Sequence, residues 1–243
     1  MQKILIIRFS SIGDIVLTSP IIRCVKLQTD AEVHVLTKKK YSLVLTSNPY
    51  IDKLFFFKNF KNTLIELESE NYDFIIDLQN NLRSFWLKLH LKTTTVTVRK
   101  KNWKKFLYIN FGINLLKDHV VDRYFQTLKK INIINDNKGL DYFIGSDVDV
   151  DFNVQEKFIT WSIGASHHQK TLSKEQIIEV CNHLSIPIVL LGGENEKTIG
   201  MQIVKDSTHK HIYNFCGDIS LDESAYLISK SFLVLTNDTG LMH

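Results

Sequence analysis

Residues 3–20 read KILIIRFSSIGDIVLTSP. The run 4–7 is short, apolar and β-branched, residues 10–14 form a polar turn, and Ile15, Val16 and Leu17 open a second apolar pattern continued by Ile21, Ile22 and Val25. A buried strand, a Ser/Gly loop and an amphipathic helix in that order make the opening unit of a parallel α/β sheet. Loops after the carboxyl ends of such strands face the ligand crevice, which puts Ser10, Ser11, Gly13 and Asp14 where chemistry is done. At this point Asp14 has two readings, a helix cap worth roughly 1 kcal/mol or a working carboxylate.

The same alternation of strand, loop and helix continues outward from this stretch. AEVHVLTKKK (31–40) reads as a second strand ending in a basic loop, residues 51–57 as a third, and 62–70 as a helix. In YDFIIDLQNNLRSFWLKLHL the run 74–76 is a buried strand, 77–81 its exit loop and 82–91 a helix with Leu82, Phe85, Trp86 and Leu89 along one face. Asp77, Gln79 and Arg83 therefore fall on the same crevice side as Asp14. Residues 93–98 are β-rich, and the basic run RKKNWKKF (99–106) follows. HVVDRYFQTLKKINI (119–133) carries Val120, Tyr124, Leu128 and Ile131 at helical spacing.

A chain of 243 residues exceeds the usual domain of about 100–150 residues, so two domains are expected. Residues 134–156, rich in Asp, Asn and Gly with one short strand, read as the linker, with domains at 1–150 and 151–243. The second half restarts the pattern with FITWSIGASHHQ, the helix LSKEQIIEVCNHL, a strand at 188–191 leading into GGENEK, and a helix at about 197–205. A strand at 212–215, a helix at 221–229 and a buried strand at 232–235 lead into TNDTGLMH. With no helix after that loop, the carboxyl-terminal sheet is expected to be incomplete.

With 44% hydrophobic and 23% charged residues, the composition is that of a globular protein with a real core, and disorder is not the expectation. Three well-separated cysteines, with no Cys-x-x-Cys pair, predict a reducing cytoplasm, no disulfide frame and no zinc site. No apolar run approaches the ~18 residues of a membrane span. Arg8 and Asp14 interrupt the apolar amino terminus, which is therefore read as mature chain rather than as a signal peptide. The net charge of +4 is concentrated in residues 38–40 and 99–106, clusters that suit an anionic surface. No nucleic-acid module surrounds them.

Six pieces in register, FSSIGDIVLTSPIIR, YDFIIDLQNNLRS, HVVDRY, IGASHHQKTLSKEQ, LLGGENEK and LTNDTGLMH, resemble glycosyltransferase family 9, the ADP-heptose:lipopolysaccharide heptosyltransferases. The resemblance implies the GT-B architecture, an α/β fold of two Rossmann-like domains. It implies an inverting, metal-independent transfer, with no cofactor, to the lipopolysaccharide core at the cytoplasmic face of the inner membrane. Its acceptor lies on the amino-terminal domain and its nucleotide sugar on the carboxyl-terminal one. Such a displacement needs a base, positive potential for the leaving diphosphate, and groups that orient the nucleotide.

By that resemblance Asp14 is the base and Lys170 meets the diphosphate. Ser166, Asp238, Thr239, Gly240 and His243 belong to the donor site. Glu194 and Glu196 both remain candidates for the ribose contact. Ser11, Gly13, Gln79, Arg83 and Arg123 fall on the acceptor side, where arginine forks suit carboxylates and phosphates. His167 and His168 lack metal-ligand spacing and read as loop residues. The expected partners are ADP-heptose, an anionic core acceptor and the inner-membrane surface, with no nucleic acid. A chain inactive as it stands and a relative using another nucleotide sugar are the alternatives.

Overall fold

The computed structural model describes residues 2–99, 119–152, 157–165, 170–237 and 242. It has two compact units, Met1–Phe143 and Ile144–His243, each built on a parallel sheet.

In the first unit the strands are β1 (Lys3–Ile7), β2 (Glu32–Thr37), β3 (Lys53–Phe56), β4 (Phe74–Asp77) and β5 (Thr94–Thr97), in the spatial order β3-β2-β1-β4-β5. All pairings are parallel, with Ile4 opposite Val33 on one side and Phe74 on the other. Strand order reverses between β1 and β4, so the crevice of this sheet opens where their carboxyl-end loops diverge. Leu5 and Ile7 pack with Leu36, Phe55, Ile75, Leu67 and Leu87 on one face, which leaves Ile4 and Ile6 for the other.

The helices are α1 (Ile12–Val16), α2 (Ser19–Gln28), α3 (Leu43–Thr46), α4 (Phe60–Glu68), α5 (Leu82–Leu91) and α6 (Val120–Leu128). Where the sequence suggests one helix after β1 there are two. Pro20 has no N–H to give to the Val16 carbonyl, and the Thr18 hydroxyl turns back onto Ile15 O at 2.6 Å. Helix α5 has the expected bounds but an unexpected orientation. Leu87 and Ser84 face inward, whereas Leu82, Phe85, Trp86 and Leu89 are all exposed. The apolar stripe legible in the sequence is thus the outer face of the helix.

No strand forms in residues 134–152, contrary to expectation. The amino-terminal part of that segment is anchored to α2 by the buried Arg23, which donates to both carboxylate oxygens of Asp136 at 2.8 Å, to Gly139 O at 3.0 Å and to Asp141. This tie explains why the first unit extends to Phe143.

At the amino ends of β1 and β3, Lys3 and Lys53 both donate to Glu70, and these hydrogen bonds, helped by the two charges, hold its carboxyl down at about 2, against an ordinary 4.5. The folded-state value is lowered, so the stabilisation is complete above pH 4.5 and is lost as pH falls through the interval toward 2. Glu70→Gln is therefore expected to flatten the acid dependence of the urea midpoint in that window, and an unaltered acid slope would show that Glu70 is not responsible.

The second unit carries β6 (Ile159–Ser162), β7 (Ile188–Leu191), β8 (Ile212–Asn214) and β9 (Leu233–Thr236), in the parallel order β8-β7-β6-β9. Its helices are α7 (Lys174–His183), α8 (Lys197–Asp206) and α9 (Leu221–Lys230). Trp161, Ile163, Ile188 and Leu190 pack against Ile177 and Cys181 of α7 and Ile203 of α8. Here the order reverses between β6 and β9. Among the described residues β9 is the edge strand of this sheet, with Leu233 and Val234 exposed, as is expected of a strand with no helix after it.

Candidate functional site

The loops after β1 and β4 are tied together across the first reversal of strand order. Asp77, at the end of β4, is fully buried and accepts the backbone N–H groups of Gln79 at 3.0 Å and Asn80 at 2.8 Å, an Asx turn that bends the chain out of the sheet. Its other oxygen lies 2.6 Å from Lys88 Nζ of α5, a close charge contact rather than an aligned hydrogen bond. The loop so shaped returns to β1. Gln79 Oε1 accepts the Phe9 N–H at 2.8 Å, and Leu78 O accepts Arg8 Nη1 at 2.7 Å.

Asp14 sits one turn beyond. Its Oδ2 accepts the Ser11 N–H at 3.0 Å and the Ser11 hydroxyl at 3.1 Å, and meets Arg8 Nη2 at 2.7 Å. The capping reading is thus correct as far as it goes. Burial, the largest single influence, pushes the Asp14 carboxyl up, but the Arg8 charge and the Ser11 N–H together hold it below the usual aspartate range. The group is ionised at neutral pH and half-exposed.

Gly13 is buried within α1, and Ser11 is exposed at its cap. Arg123 on α6 has a buried Nε that finds no partner among the described residues. The adjacent Tyr124 is buried, its hydroxyl is equally unpartnered among them, and the charges of Arg8, Asp14 and Arg123 all act on it. Arg83 lies in the first turn of α5. Its guanidinium stands 5.8 Å from the Phe57 ring centroid, in a shallow pocket of about 500 Å³ shared with Phe60, Leu82, Trp86 and His90.

Sequence reasoning missed Arg8 and Tyr124. Arg8 is visible as a cation closing an apolar strand, and Tyr124 as one apolar position in a helical period. That the charges of Arg8 and Asp14 reach Tyr124 depends on where α6 packs.

In the second unit, Glu194 and Glu196 follow the carboxyl end of β7. Gly192 and Gly193 leave β7 and enter a 3-10 turn, in which Glu196 Oε2 accepts the Gly193 N–H at 2.8 Å. A Cβ on Gly164, just after β6, would come within 2.9 Å of the Glu196 Cδ, so the β6 and β7 loops meet because residue 164 has no side chain. Glu196 is thereby committed to its own loop, while Glu194 is exposed beside Gly217, whose φ of +77° and lack of Cβ leave it room. Two candidates equal in sequence are separated by geometry.

Lys170 is exposed in the loop after β6. Asn237, following β9, donates its Nδ2 to Ile163 O at 2.7 Å and closes the second reversal of strand order. Cys216, behind Gly192, has its thiol pushed up to about 12 by burial and is inert packing. Ser166, Asp238, Thr239, Gly240 and His243, with His167 and His168, lie outside the described residues, as does most of the basic run 99–106. Among the described residues no group of three His, Cys, Asp or Glu side chains is placed to hold a metal, and no helix is long and apolar enough to cross a membrane.

Two open parallel α/β sheets, each with polar loops at its reversal of strand order, make up a fold of the GT-B type. The sequence matches the profile described as Glycosyltransferase family 9 (heptosyltransferase) over residues 63–243. The chain belongs to that family. It is 23% identical over 275 residues to lipopolysaccharide heptosyltransferase 1 of Campylobacter coli, covering 100% of this chain and 80% of that protein.

The fold is shared with solved structures. The family 9 glycosyl transferase of Veillonella parvula superposes with a TM-score of 0.81 at 21% identity, covering 100% of this chain and 76% of that one. The E. coli ADP-heptose lps heptosyltransferase II gives 0.77 at 19% identity, with 100% and 81% covered. E. coli heptosyltransferase WaaC with ADP gives 0.76 at 18% identity, with 100% and 83% covered.

Proposed function

We propose that the protein transfers a heptose from ADP-heptose to a lipopolysaccharide core acceptor, with inversion at the anomeric carbon. The observation that carries this reading is Asp14. It is an ionised, half-exposed carboxylate at the first reversal of strand order, in a member of the heptosyltransferase family. In the proposed step the acceptor oxygen attacks the anomeric carbon, the bond to the diphosphate breaks with its electron pair, and Asp14 takes the acceptor proton. A carboxylate held below its usual pKa is a weak base for a free hydroxyl, but that hydroxyl acidifies as its new bond forms, so the transfer is late. One displacement inverts configuration.

Residues 1–150 are proposed to bind the acceptor, through Ser11, Gly13, Gln79, Arg83 and Arg123, and 151–243 the donor. Lys170, Ser166, Asp238, Thr239, Gly240 and His243 would hold the diphosphate and the sugar, an ammonium and helix-start amides offsetting the charge that develops. Solved relatives bound to ADP and to ADP-2-deoxy-2-fluoro heptose support this donor class. Work at the cytosolic face of the inner membrane follows from the acceptor proposed.

Of the two ribose candidates we assign Glu194, the one not engaged in its own loop. Glu194→Ala is expected to weaken ADP binding about tenfold in calorimetry, the worth of one charged hydrogen bond, while leaving the melting temperature unchanged. Unaltered ADP affinity would refute that assignment. The function itself is tested by measuring nucleoside diphosphate release with a panel of donors and a core acceptor. Turnover with ADP-heptose well above that with ADP-hexoses or UDP-sugars is expected, and a preference for another donor would replace the heptose assignment.

A further inference from the structure

The Asp14 carboxylate is held by one oxygen. Oδ2 collects the Ser11 N–H, the Ser11 hydroxyl and Arg8 Nη2, whereas Oδ1 takes no hydrogen bond among the described residues. Arg8 approaches from the buried side, its side chain 11% exposed against 37% for Asp14. The guanidinium is itself fixed, because Nη1 donates to Leu78 O at 2.7 Å in the loop after β4. That loop is stiffened by the Asp77 Asx turn and by the bond from Phe9 N–H to Gln79. A planar fork with both terminal nitrogens occupied sets the carboxylate plane in a way a single ammonium does not.

We propose that Arg8 is the positioning residue of the base, anchoring Asp14 Oδ2 to the β4 loop and presenting Oδ1 to the acceptor hydroxyl. This rests on the reading of Asp14 as the base. As the acceptor oxygen bonds to the anomeric carbon and the diphosphate departs with the electron pair, the acceptor proton passes to Oδ1. Arg8 keeps its proton and its bond to Leu78 O throughout, so the carboxyl group stays in place while its charge is lost. The other ionisable groups around Asp14 are Tyr124 and, beyond it, Arg123, both on α6. Helix α3, which packs on α1, contributes Leu43, Val44, Leu45 and Thr46, none of which titrates.

The test compares wild type, Arg8→Gln and Arg8→Lys as full chains by two readouts, the 13C NMR titration of the Asp14 carboxyl carbon and the pH profile of kcat. Arg8→Gln removes the charge, so the Asp14 midpoint and the acid limb of kcat are expected to rise together by about 1–3 pH units. Arg8→Lys keeps the charge, so its midpoint stays near wild type, but kcat falls about 10–100-fold because one ammonium cannot hold Leu78 O and set the carboxylate plane together. An unmoved midpoint in Arg8→Gln, or wild-type kcat in Arg8→Lys, overturns the inference. Should Arg8→Gln not fold, the Arg8→Lys result decides alone. Retained turnover in Asp14→Asn would instead remove the base reading, while the carboxyl titration still reports whether Arg8 governs that group.

Discussion

Replacing Asp14 by Asn is expected to lower kcat by about 10²–10⁴-fold, the range for loss of a positioned general base. ADP affinity should be unchanged, since the residues proposed to hold the donor belong to the other unit. Asn is the informative substitution because its amide oxygen still accepts the Ser11 N–H, so α1 keeps its cap and the variant folds. That oxygen also faces Arg8, so the ion pair now seen at 2.7 Å becomes a neutral hydrogen bond, while the amide nitrogen takes the Oδ1 position, where it donates and cannot accept the acceptor proton. Steady-state kinetics with saturating donor measure the effect. Turnover within a few-fold of wild type would show that another group takes the proton.

The largest effect on stability is expected at Asp77. Its fully buried carboxylate serves the Gln79 and Asn80 N–H groups and the Lys88 ammonium at once. Asp77→Ala strands all three, and losing one partner of a buried pair costs about 3–5 kcal/mol. A matching fall in the urea midpoint is expected. The double variant Asp77→Leu with Lys88→Met removes both charges and should recover much of that stability, yet it cannot rebuild the Asx turn. Turnover is therefore expected to stay low in the double variant, because the loop that fixes Arg8 and Phe9 has lost its shape. Recovery of stability and activity together would mean that the β4 loop does not depend on Asp77.

These residues also mark what the sequence reveals and what it withholds. The strands are legible because parallel strands buried on both faces must be unbroken apolar runs, as Leu5, Ile6 and Ile7 are. Their order is not legible, since nothing in the run 74–76 says that it lies beside β1 rather than beyond β3. The bond from Arg8 to Leu78 O exists through that adjacency alone. In α5 the periodicity reveals a stripe but not which way it faces. Leu82, Phe85, Trp86 and Leu89 outline an apolar face, yet the sheet takes Leu87.

Glu194 and Glu196 are interchangeable in sequence because both follow the same glycine pair. The short approach of Gly164, distant in the chain, is what commits one of them to its own loop. The break between α1 and α2 was the opposite case, with its cause in plain view at Pro20.

The claim on which the account turns is that one carboxylate, acting as a base and never as a nucleophile, serves a single displacement. The anomeric configuration of the isolated product, read by NMR against that of the donor, tests it directly. Inversion is predicted. Retention would require either a second displacement through a covalent glycosyl-enzyme or attack from the face of the leaving group, and either would contradict the role assigned to Asp14.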